Sequence, residues 1–69
     1  MPTKSEVGER IRKLREKKNM TQTELAEILG VSRQAVNNYE TGDAKPGDEL
    51  RVKLCQILGC DIVKLFFEE

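Results

Sequence analysis

Apolar residues fall in short blocks at helical spacing, and glycine, asparagine or proline separates the blocks. Val7, Ile11 and Leu14 stand at i, i+4 and i+7, one stripe of a helix that starts between Thr3 and Glu6, capped by Thr3 or Ser5. That helix ends on the basic pair Lys17 and Lys18, which suits the helix dipole, and on Asn19, which tolerates the left-handed conformation. Thr21 with Glu24 three residues later is a capping box that opens a second helix, with Leu25, Ala26, Ile28 and Leu29 as its apolar face. Gly30 ends it, Val31 occupies the turn, and Ser32 caps a third helix over Arg33 to Glu40. At about 100° per residue, Ala35, Val36 and Tyr39 share one arc of that helix. Arg33, Gln34, Asn37 and Thr41 fall on the opposite side, with Asn38 and Glu40 on the flanks.

The segment from Thr41 to Gly47 reads as a loop. A fourth helix follows over about residues 48–58, with Leu50, Leu54, Ile57 and Leu58 as its stripe, Cys55 beside them and Gly59 as its stop. Asp61 caps a short fifth helix, over about residues 61–67, whose apolar residues are Ile62, Leu65 and Phe66. No stretch alternates β-branched and aromatic residues over a useful length. The pattern predicts a single all-α domain of five helices joined by short connections.

Two helices that meet at a steep angle need a small residue at the crossing, a glycine in the turn and a branched apolar residue to lock the second onto the first. Ala26, Gly30 and Val36 supply them in that order, between a capping box at Thr21 and a second cap at Ser32. The polar residues of the third helix suit base edges: Arg pairs with guanine O6/N7, and Gln or Asn with adenine N6/N7. Arg33 and Gln34 open the helix, where a recognition helix reaches the major groove, and Asn37 lies one turn on. Asn is a mediocre helix former, and the adjacent pair Asn37 and Asn38, at no helix end, is easier to justify by contact than by folding.

Gln22 to Thr41 resembles the helix-turn-helix of the phage repressor/Cro family of transcription regulators. ERIRKLREKK is similar to that family's first helix, and KPGDELRVKLCQILGCDIVKLF to its closing pair. The resemblance implies a compact five-helix, lambda-repressor-like domain that binds operator DNA as a homodimer. It implies that Gln22 contacts phosphate and steadies a recognition-helix side chain. It places Lys45, Thr41 and the amides near Gly42 along the DNA backbone, with Asn38 toward phosphate or a partner and Ser32 at the start of the reading helix. It also implies a partly buried ion pair between Arg15 and Glu40, structural in role. The family often carries Ser or Thr before the fourth helix. Here Gly47 precedes Asp48 and Glu49, whose carboxylates repel phosphate. Phe66 matches a core position, whereas Phe67 is additional, so Leu65, Phe66 and Phe67 form the expected dimer surface.

Composition limits the alternatives. A chain of 69 residues is one domain that buries only about 60% of its unfolded surface, so it relies on compact packing or a partner. Net charge is zero, yet residues 1–20 hold seven basic and three acidic side chains, and residues 43–69 four basic and six acidic. Such a bipolar molecule can turn a basic surface to phosphate. With two cysteines and no histidine, no metal site or disulfide framework is indicated, and Cys55 and Cys60 read as reduced thiols. Cys60 reads as a candidate exposed thiol, and with no strongly basic cluster beside it in the sequence a redox role for it is left open. The sequence lacks a membrane-length apolar run, and its N-terminus does not read as a signal peptide, so a cytoplasmic protein is expected. No cofactor or small-molecule ligand is indicated. A catalytic reading has no nucleophile elbow, paired-carboxylate pocket or phosphate loop behind it. The remaining alternative is a protein-interaction module, antitoxin-like or anti-repressor-like, that keeps the fold without DNA.

Overall fold

The computed structural model describes residues 1–69. Five helices follow in order: α1 (Lys4–Lys17), α2 (Gln22–Leu29), α3 (Arg33–Thr41), α4 (Asp48–Leu58) and α5 (Ile62–Phe66). Their ends are set by local chemistry. Thr3 and Thr21 each accept from the backbone N–H three residues on, and Glu6 and Glu24 reach back to the cap amide, closing two capping boxes. Of the two candidate caps for α1, Thr3 holds the position. Its hydrogen bonds hold the Glu6 carboxyl below the usual carboxylate range. Asn19 has φ 57° and Gly30 φ 75°, so both chain reversals use the left-handed region.

The core is Ile11, Leu25, Ala26, Leu29, Val36, Leu54, Cys55, Leu58, Leu65 and Phe66. Ile11, Leu25, Val36 and Leu54 are its most enclosed side chains and come from the first four helices. Two expectations change at this level. Ile28, read as part of the apolar face of α2, is 52% exposed. Leu25 and Leu29 center the buried arc, and Ile28 lies about 60° beyond Leu25 on the side away from Ala26. Leu65 and Phe66 are 2% and 5% exposed: Phe66 fills the core position expected of it, and neither is open to the dimer surface expected of Leu65, Phe66 and Phe67. Only Phe67, at 42%, remains outside.

α1 crosses α3 at close range. Gly8 is buried there, and a Cβ on it would stand 2.6 Å from the Tyr39 carbonyl oxygen. Only a glycine lets the two backbones approach this closely. The C-terminus is tied down by Arg10, whose Nη1 donates to the Lys64 and Leu65 carbonyls at 3.1 and 3.3 Å. No helix is long and apolar enough to cross a membrane.

Candidate nucleic-acid interface

The α2–α3 unit is built from the turn outward. The Gly30 N–H donates to the Glu27 carbonyl at 3.3 Å and the Val31 N–H to the Ala26 carbonyl at 3.0 Å, so the turn consumes the last carbonyls of α2. Ser32 Oγ accepts from the Ala35 N–H at 3.1 Å and starts α3 immediately. Its hydroxyl hydrogen remains available to an acceptor outside the protein. Val36 is fully buried, which turns Arg33 and Gln34 to the outside.

The exposed side of α3 carries uncommitted donors. Arg33 is exposed and forms no ion pair or side-chain hydrogen bond. Gln34 Nε2 donates to Asn38 Oδ1 at 3.0 Å, an i,i+4 bond that lines the two amides along one edge. Asn37 is half-buried, and its Oδ1 accepts from Gln22 Nε2 at 3.2 Å. The same Gln22 nitrogen donates to Glu40 Oε1 at 3.0 Å. Both amide hydrogens of Gln22 are therefore committed within the protein, while its oxygen and backbone N–H stay open. Thr41 Oγ1 donates to the Asn38 carbonyl at 3.3 Å and accepts from the Asp43 N–H at 3.4 Å. Lys45 is exposed on the loop after α3 with no ion pair. The carboxylates of Asp43, Asp48 and Glu49 are exposed along the same loop and the first turn of α4.

Beneath this surface lies a buried polar center. Arg15 Nε donates to Glu40 Oε2 at 2.6 Å, Nη2 to Oε1 at 3.2 Å, and Nη1 to the Met20 carbonyl at 2.7 Å. The hydrogen bonds to Glu40 outweigh desolvation and raise the Arg15 pKa. No buried side-chain nitrogen or oxygen lacks a partner. The expected Arg15–Glu40 pair is thus in place, and Gln22 extends it to join α1, α2 and α3. The Gln22–Glu40 bond and the Gly8 contact were not read from the sequence. Both depend on how closely two helices cross, and residue type alone does not report that. No group of three His, Cys, Asp or Glu side chains is placed to hold a metal ion.

Comparison with known proteins agrees with this geometry. Residues 11–65 match the helix-turn-helix family model. A protein of Pyrococcus furiosus described as an HTH-type transcriptional regulatory protein is 46% identical over 57 residues, covering 83% of this chain and 18% of that protein. Antitoxin PezA of Streptococcus pneumoniae is 33% identical over 63 residues, 91% of this chain and 40% of the antitoxin. The chain thus spans less than half the length of either relative. The solved structure of the P22 c2 repressor in complex with synthetic operator 9T superposes with a TM-score of 0.86 at 32% identity, over 91% of this chain and 96% of that one. In sequence and in fold, the chain belongs to the helix-turn-helix family, in its phage repressor/Cro branch.

Proposed function

We propose that the chain is a sequence-specific, double-stranded-DNA-binding regulator of transcription that reads an inverted-repeat operator as a homodimer. The observation that carries this reading is the outward face of α3. Arg33, Gln34 and Asn37 present donors there, and Asn37 is held by Gln22 instead of being left to solvate. Arg33 and Gln34 read bases near the start of the helix, and Asn37 reads one turn deeper. Ser32, Thr41, Lys45 and the Gln22 backbone N–H face phosphate, while Asn38 orders Gln34 along the edge. Two copies would set their reading helices about 34 Å apart, one turn of duplex. The likeness to an operator-bound repressor supports repression.

Selection of bound duplexes from a random pool tests the reading. An inverted repeat with half-sites one turn apart is expected, and Arg33→Ala should relax one base position at a cost of about 1–3 kcal/mol. Absence of enrichment would sink it. A second reading, a protein-interaction module, draws on the zero net charge, the Asp48–Glu49 pair and the likeness to an antitoxin. Binding to duplex that weakens steeply with salt separates the two, because only phosphate contacts release counterions.

A further inference from the structure

Cys55 and Cys60 meet at the end of α4. Gly59 takes φ 67°, and the Cys60 N–H donates to the Cys55 carbonyl at 3.0 Å. Such a turn brings its first and sixth residues toward the separation a disulfide spans, roughly 4.4–6.8 Å between Cα atoms. Both cysteines are free thiols, with Cys55 buried in the core and Cys60 half-buried against it. Cys60 opens into a surface depression lined by Arg10, Lys13, Leu14, Lys64 and Leu65. Folding therefore places Arg10, Lys13 and Lys64 on the rim of the depression that Cys60 lines. Lys13 and Lys64 form no ion pair, and Arg10 is pinned there by its bonds to the Lys64 and Leu65 carbonyls. Asp61, the adjacent carboxylate, caps α5 through the Val63 N–H at 2.7 Å.

We propose that Cys60 is a modification site for anionic low-molecular-weight disulfides, with Cys55 as the resolving thiol. The cationic rim gathers the carboxylates of the disulfide over an apolar floor of Leu14 and Leu65. The Cys60 thiolate, its proton released to water, attacks one sulfur of the reagent, forms a mixed disulfide and expels one thiolate. Cys55 then loses its proton and attacks the Cys60 sulfur, and the second reagent thiolate leaves. Two protein thiols are oxidised to one disulfide while the reagent disulfide is reduced to two thiols. Burial, reinforced by neighbouring Cys60, pushes the Cys55 thiol up to about 12, which makes Cys60 the first to react and lets the mixed disulfide accumulate.

The full chain, incubated with oxidised glutathione and followed by intact mass and peptide mapping, tests this. The expected course is one glutathionyl group on Cys60, then a species lighter than the starting chain by two hydrogens. Cys55→Ser should stop at the Cys60 adduct, and Cys60→Ser should leave Cys55 unmodified while the chain stays folded by circular dichroism. Reversing the rim with Lys13→Glu and Lys64→Glu should slow the first step about tenfold toward glutathione disulfide, and not toward neutral bis(2-hydroxyethyl) disulfide. Equal modification of both cysteines in the native chain, or two adducts with no internal disulfide, would overturn the assignment. So would a rate insensitive to rim charge.

Discussion

Glu40 is the residue on which three helices converge. It takes two bonds from Arg15 and one from Gln22, and its side chain is 3% exposed. Glu40→Ala would leave the Arg15 guanidinium buried without its counter-charge, at a cost of about 3–5 kcal/mol. For a domain this small, each kcal/mol moves Tm by roughly 4–8 °C, so a fall of more than about 10 °C is expected by calorimetry. A shift of about two degrees or less would mean that the pair is solvated and unimportant. Glu40 was legible as one half of an ion pair through the family resemblance. Its second partner was not, because Gln22 reaches it only across the crossing of α2 and α3. Cys55 gives a pH test at the same scale. Its folded pKa of about 12 lies above the ordinary thiol value of 9.0, so the folded state holds the proton more tightly. The resulting stability is complete below about pH 9 and is lost as pH rises toward 12. Urea midpoints should therefore fall more steeply with alkaline pH in the native chain than in Cys55→Ala. Parallel curves would show that the thiol is not shielded from water.

Between elements, two glycines separate two kinds of constraint. Gly30 needs its positive φ, but a Cβ on it would meet nothing within 4 Å. Gly30→Ala should therefore cost only the strain of the left-handed region, about 1–2 kcal/mol. Gly8 sits in a helix with ordinary φ, and there the added carbon would collide with the backbone of α3. Gly8→Ala should push α1 from α3, cost more than Gly30→Ala despite better helix propensity, and weaken duplex binding, because Asn37 and Gln22 lose their alignment. Denaturant midpoints in the opposite order would refute the close crossing. Helix ends were legible in the sequence because caps are local: Thr21, Ser32 and Gly30 carry their reason within three or four residues. Which side of α2 and α5 faces inward was less legible. Ile28 and Leu65 are both apolar, and the assembled neighbours decide that the first is exposed and the second enclosed, whereas Phe66 was already placed in the core by the family resemblance.

At the scale of the whole molecule, charge must be arranged to compensate for its absence in total. Net charge is zero, so affinity for DNA would come from a few cations and amides on one face, working against Asp43, Asp48 and Glu49 beside them. Phe67 lines a surface depression that also reaches Lys45, and the guanidinium of Arg51 lies 5.9 Å from its ring centroid. If Phe67 contributes to a dimer, Phe67→Ser should leave the fold intact, shift sedimentation toward monomer, and weaken binding to a two-half-site operator more than to a single half-site. Unchanged sedimentation would remove Phe67 from the interface. Lys45 gives the sharpest test of how the DNA is held. It is exposed and unpaired, so removing it costs the fold almost nothing. As a phosphate contact it releases a counterion on binding, and log affinity falls against log salt with a slope of about −0.9 per phosphate neutralised. Lys45→Ala should reduce that slope by about one unit in each subunit and weaken all sequences alike, whereas Arg33→Ala should change the preferred base. If Lys45→Ala leaves the slope unchanged, the neighbouring carboxylates already hold that loop off the backbone. The phosphate contacts must then come from Ser32, Thr41 and the amide of Gln22.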